Sequence, residues 1–205
     1  MQYGPFTIAI VLVTAVISFA AFSDRRLMDR LILWPQRMHS VGEYYRLLTS
    51  GFIHLDMTHL LFNMFTLFFM GTAVEQYFQI IGLSPWMYIL LYLSAIVIAS
   101  LPSFLKNRNN AYYRSLGASG GVAAVIFSFI YFQPWQKIYI FFFPVYSIVF
   151  AALYLIFSAY MSRKGRGNVN HDAHFWGAVF GLIFTGVVEP SHGRLFLEQI
   201  QQLPF

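Results

Sequence analysis

The sequence predicts an all-α membrane protein, a bundle of six transmembrane helices whose first loop carries a helix lying at the membrane interface. Three observations carry that expectation. Of the 205 residues, 58% are hydrophobic and only 10% are charged, against roughly a quarter charged in a soluble domain. Six apolar runs approach or exceed the roughly 20 residues that a helix needs to cross about 30 Å of hydrocarbon. The 23 Phe and 13 Tyr suit lipid-facing and interfacial positions.

The first run is Phe6–Phe22. Met1–Pro5 carries no basic residue and the run is long, so it reads as a span and not as a secretory signal. A long connection, Ser23–Met57, follows, and a loop of that length beside a membrane must be structured. In its "DRRLMDRLILWPQ", Leu27, Met28, Leu31 and Ile32 fall on one side of a helix and Arg26, Asp29 and Arg30 on another. That is the pattern of an interfacial helix, and equally of a lid that covers loop backbone. The second to sixth spans are Thr58–Phe78, Pro85–Leu105, Leu116–Gln133, Ile138–Met161 and Ala173–Val188. Pro144, in "IYIFFFPVYS", should weaken the fifth helix locally and mark a side route for a membrane-borne substrate. In "MSRKGRGNVNHD", Gly165 and Gly167 suggest a mobile flap. No internal repeat divides residues 1–205, which read as one domain.

The net charge of +5 belongs to loops that meet lipid headgroups and is not a nucleic-acid signal. The absence of Cys excludes disulfides, thiolate catalysis and Cys-type zinc sites. No H-E-x-x-H is present, and "HDAH" has no third ligand in evidence, so neither metal nor cofactor is expected.

Polar groups within spans are costly and few, so each is a functional candidate. His59 and Asn63 share one face at the start of the second span, Ser119 stands near the start of the fourth, and His174 near the start of the sixth. Alternating spans begin on the same membrane face, which places all four at one shallow depth, about 5 Å below it. Gly117, Gly120 and Gly121 strip bulk from the fourth span, and Gly177 and Gly181 form a small-xxx-small pattern on the sixth. A hydroxyl and an imidazole can then meet as nucleophile and base. Asn63 and His59 would be donors to the oxyanion. Asp172 lies two residues before His174 and about 200° round the helix, so a dyad is expected, not a triad. Singly, each residue has a plainer reading. Ser119 can serve helix packing, His59 with Asn63 an interhelical hydrogen bond, His174 a proton relay or metal site, and His54 and His171 loop capping or solvation. "GASGG" also fits the G-x-S-x-G elbow of α/β-hydrolases, but no alternation of strands and helices surrounds it.

In order along the chain, "HLLFN" (His59 to Asn63), "GASG" (Gly117 to Gly120) and "AHFWGAVFG" (Ala173 to Gly181) resemble the H-x-x-x-N, G-x-S-G and A-H-x-x-G-x-x-x-G motifs of the rhomboid intramembrane serine proteases. "YYRLLTSGFIHLDMTH", with Arg46, and "GTAVE", ending at Glu75, are similar to the family's segments around the second span. The resemblance covers nearly the whole chain. It implies a rhomboid-like six-helix bundle with Ser119 as nucleophile and His174 as general base. By the same resemblance, the Ser119 amide, His59 and Asn63 would form the oxyanion hole. Arg46, Glu75, Gly117, Gly120, Gly177 and Gly181 would take structural roles. It further implies transmembrane protein substrates with helix-destabilising or small residues near the cut, in a multi-pass protein of a cell or inner membrane. Two departures stand out: Tyr45 replaces the usual Trp before Arg46, and Ala123 replaces the aromatic four residues after the serine that braces the histidine. Two other classes remain in view. One is a non-catalytic binder or chaperone of transmembrane helices on the same fold; the other is a transporter, whose paired broken helices are not evident.

All but Lys137 and Arg194 of the 13 Lys and Arg stand on the face where the catalytic spans begin. The positive-inside tendency would make that face cytoplasmic. The family topology implies the reverse, and it is the expectation adopted.

Overall fold

A computed structural model describes residues 4–140, 142–164 and 169–202. Helix α1 spans Pro5–Ser23, with Pro at its first position, where a missing N–H costs nothing. Asp24 ends α1 and caps α2 (Arg25–Leu31) by accepting from the Arg26 N–H at 2.8 Å. A short helix, α3 (Arg46–Thr49), and three single turns of 3-10 helix complete the first loop. Leu27, Met28 and Leu31 of α2 pack on Ala21, Ile32 and Ile53, so the apolar side read from the sequence lies against protein.

Asp56 caps α4 (Met57–Ile80) through the His59 N–H. After it come α5 (Trp86–Lys106) and α6 (Ser119–Phe132). Among the described residues, α1, α4 and α5 are long and apolar enough to cross a membrane, and α6 is a shorter apolar helix. Exposed apolar side chains on α1 and α4, such as Val16, Leu61 and Phe65, form outward faces suited to lipid. α6 is the core of the bundle, because almost every residue from Gly120 to Phe132 is buried. At 14 residues, it is only about 21 Å long. A helix that short starts below the membrane surface when its far end reaches the opposite side.

The fifth run departs from expectation. Residues Lys137–Ile140 (β1) and Phe143–Tyr146 (β2) form an antiparallel hairpin, Pro144 lies opposite Tyr139, and α7 begins only at Ser147 and runs to Lys164. Pro144 therefore interrupts no helix. A segment rich in Ile, Tyr, Phe and Val, with a proline that forbids helix interior, prefers the pleated ribbon. α7 itself is peripheral and buries only Ser147, Ala151 and Ser158.

α8 spans His171–Val188 and packs closely on α6. A Cβ added to Gly177 would land on the Gly120 carbonyl, and one added to Gly181 on Ala124 backbone. No helix is expected beyond Val188, yet α9 covers Ser191–Gln201. It is amphipathic and polar on average, which hides it from a search for apolar runs. Phe196 stacks on Tyr131, with centroids 5.2 Å apart, and the Trp135 indole donates to the Gln199 carbonyl. The suggested flap at Gly165 and Gly167 lies outside the described residues.

Candidate active site

The segment before Ser119 has to turn sharply into the core, and three contacts hold it there. Leu33 and Ser115 exchange backbone hydrogen bonds of 3.0 Å, tying the first loop to this segment. The Gly117 N–H donates to the Ser50 carbonyl at 2.9 Å. Gly117 has φ +117°, and a Cβ there would meet the His59 ring at 2.6 Å. Only glycine satisfies both the dihedral and the close approach.

The third contact belongs to His54, which is fully buried. Its Nε2 accepts the Ala118 N–H at 3.3 Å, so the proton sits on Nδ1, which donates to Ser18 Oγ at 2.9 Å. Ser18 in turn donates to the Phe52 carbonyl. Burial, reinforced by neighbouring His59 and opposed by Asp56, pushes the ring down to about 3 from its ordinary 6.5. A neutral imidazole is what this arrangement requires, since a protonated Nε2 has no lone pair for Ala118. Of the two sequence readings of His54, loop capping is the one observed.

Ser119 opens α6, whose first-turn N–H groups have no partner within the helix. Opposite it on α4, Asn63 gives one amide hydrogen to the His59 carbonyl at 2.9 Å, and the other has no partner among the described residues. His59 lies edge-on to His54, with centroids 4.9 Å apart. His174 enters from the first turn of α8. Ser119, His174, His59 and Asn63 together line one cavity of about 840 Å³, open at the loop end of the bundle. The structure thus gathers four residues from three separated segments around one space.

Two residues that sequence reasoning missed orient His174. Tyr154 of α7 stacks on its ring at 6.1 Å between centroids and 23° between planes. This supplies an aromatic support where Ala123 offers none, and no spacing in the chain links positions 154 and 174. Asn170 caps α8 by accepting the Ala173 N–H at 3.1 Å. It also accepts from Ser103 of α5 and donates to Ser115, each at 2.9 Å. An Asn three residues before the apolar run that begins at Ala173 is an N-cap signal that could have exposed it. Asp172 turns away from His174, its carboxylate held by Ser162 of α7 and, at 3.5 Å, by Lys106.

The outer residues are structural. Arg46, buried, donates to the Asp29 and Ile32 carbonyls at 2.7 and 3.1 Å and pairs with Glu43. Tyr45 donates to the Arg30 carbonyl at 3.0 Å, a bond open to its phenol. Glu75 accepts from the Phe6 and Thr7 N–H groups and from the Thr7 hydroxyl, satisfying the first turn of α1. Gly120 and Gly121 face Ala99 and Tyr92 with no room for a side chain. Among the described residues no group of His, Asp or Glu has the arrangement of a metal site.

The Rhomboid domain family model matches residues 41–190, most of the chain and every motif above. The chain belongs to the rhomboid family. It is 25% identical over 183 residues to RHOMBOID-like protein 12, mitochondrial, of Arabidopsis thaliana, covering 82% of this chain and 53% of that one. It is 30% identical over 144 residues to the human presenilin-associated rhomboid-like protein, mitochondrial, covering 68% and 36%. Rhomboid protease GluP of Bacillus subtilis is 34% identical over 90 residues, covering 44% and 16%. This rhomboid matches about half, or less, of the length of these relatives. With its apolar helices, it is a membrane protein of that family.

Proposed function

We propose that this rhomboid is an intramembrane serine endopeptidase that hydrolyses peptide bonds in or beside the transmembrane segments of other membrane proteins. The observation that carries this reading is that Ser119 and His174 line the same loop-facing cavity as Asn63 and His59. Ser119 Oγ attacks the scissile carbonyl while His174 takes the hydroxyl proton. The Ser119 N–H, the free Asn63 amide hydrogen and the His59 ring stabilise the oxyanion. As the C–N bond breaks, His174 returns the proton to the leaving amine, and a water repeats the sequence on the acyl-enzyme. Tyr154 keeps the imidazole in plane, and Asn170 fixes the helix that bears it.

The same reading makes α1, α4, α5, α6, α7 and α8 the six spans, with α2 at the interface and the active-site cavity open to the non-cytoplasmic side. Water reaches the dyad because α6 starts below the surface. An intact substrate helix hides its carbonyls in hydrogen bonds, so substrates carry helix-destabilising or small residues near the cut.

A fluorophosphonate probe, which needs an activated serine, tests this against a helix-binding protein with the same fold. We expect labelling of the wild type at Ser119, and none in Ser119→Ala or His174→Ala. Both variants should also lose cleavage of a model transmembrane substrate with melting temperature nearly unchanged. Unlabelled wild type, or either variant above a tenth of wild-type turnover, would overturn the dyad.

A further inference from the structure

The cavity that holds Ser119 is lined by many apolar and neutral polar side chains, but among the described lining residues only Arg114 carries a fixed formal charge, and none of them is a carboxylate. Arg114 is exposed and stands on the segment that leads into Gly117 and Ser119. Its guanidinium carbon lies 3.8 Å from the Trp34 ring centroid, and Arg37 reaches the same indole at 3.7 Å. Stacking on a ring stiffens a long side chain and costs it little of its donor capacity. Trp34 is itself anchored, because its neighbour Leu33 forms the backbone bridge to Ser115 beside Arg114.

Two cations on one indole repel each other, and neither has an acidic partner. The ion pairs among the described residues are Arg46 with Glu43 and Lys106 with Asp172. Arg108 on the same connection is stacked on Phe104 and adds to the positive field. A cleft with walls of low dielectric concentrates such a field at its mouth.

Resting on the endopeptidase reading, we propose that Arg114 is a specificity-determining residue that binds an Asp or Glu carboxylate of the substrate, in the segment that lies in the cavity mouth during cleavage. The guanidinium offers a planar fork to a carboxylate, and a Lys or Arg at that substrate position meets like charge. A substrate residue is favoured over a lipid headgroup because Arg114 shares the cavity with the nucleophile. Arg37, the other cation on Trp34, does not line it.

The test uses the full chain in detergent and in vesicles of phosphatidylcholine with or without phosphatidylglycerol. Model transmembrane substrates carry Asp, Asn or Lys at each position, scanned across the segment on the loop side of the scissile bond. We expect kcat/KM to rise about fivefold for Asp over Asn at one or two positions, to fall for Lys there, and to lose this contrast as NaCl is raised. The contrast should survive in Arg114→Lys, vanish in Arg114→Gln and reverse in Arg114→Glu. Fluorophosphonate labelling of Ser119 in each variant verifies a folded site. An Asp-to-Asn ratio of one at every position, or the wild-type ratio retained in Arg114→Gln, overturns the proposal. Dependence of Arg114 on phosphatidylglycerol with no Asp preference also overturns it and assigns the residue to the membrane. A wild type that neither cleaves nor takes the probe overturns the endopeptidase reading itself.

Discussion

Asn63 and His54 are both buried polar residues of the α4 region, yet they face different demands. Asn63 spends one amide hydrogen on the His59 carbonyl and keeps the other for the cavity. Under the proposed mechanism, Asn63→Ala should lower turnover by about 10²- to 10³-fold as a sole oxyanion donor, and by less where His59 and the Ser119 amide compensate. Wild-type turnover with a large fall in melting temperature would make Asn63 structural. His54 sits outside the helices and holds the Ala118 N–H as a neutral base. Its folded-state pKa lies near 3, below the ordinary 6.5. Between those values the unfolded chain binds a proton that the folded chain refuses, so stability present above pH 6.5 is lost as the pH falls toward 3. His54→Gln should melt below wild type at neutral pH, and the gap should narrow across that acid window. A gap of constant size, read by thermal melts in detergent, would rule out this titration.

At the scale of elements, α6 and α8 meet through backbone. Gly177 and Gly181 let α8 rest on the carbonyls of Gly120 and Ala124, and this contact brings His174 to the level of Ser119. Even one methyl must push the helices apart, so Gly181→Ala should cost about 1–3 kcal/mol of stability. It should also lower turnover, because the proposed pairing of Ser119 with His174 depends on the same spacing. An unchanged melting temperature would mean that the helices can shift without loss. α7 contrasts with this pair. It is peripheral, it starts only after the hairpin at Ser147, and it touches the site through the Tyr154 ring. A side route for substrate beside α7 would therefore not depend on Pro144 bending a helix.

At the scale of the whole molecule, basic residues crowd the loop face, and the proposed orientation sets that face outside the cytoplasm. Several of these charges are engaged locally. Arg46 is buried among carbonyls, Arg37 and Arg114 lie on Trp34, and Lys106 meets Asp172. The proposed orientation follows the family topology against the positive-inside tendency. With the six spans proposed, the C-terminus should be cytoplasmic, and a reporter fused after Phe205 should be active only there. Activity on the opposite side would reverse the orientation and leave the chemistry at Ser119 untouched. Most of the helical framework was legible in the sequence, because long apolar runs have few alternatives in lipid. The four candidate residues that line the cavity could be singled out because polar groups are rare in such runs. The hairpin at 137–146 was not, since a short apolar, aromatic stretch looks alike as strand or as helix. α9 escaped because its helical face is amphipathic and not continuously apolar. The sequence by itself determined the membrane class, the family motifs and the candidates Ser119, His174, His59 and Asn63. Only the tertiary structure decided that Tyr154 stacks on His174, that His54 and Asn170 hold the loop and helix that carry Ser119 and His174, and that Arg114 is the one fixed cation among the described residues of the cavity wall. These are contacts between segments far apart in the chain. Local pattern carries hydrophobic period and capping, but which distant side chains meet depends on how the helices pack.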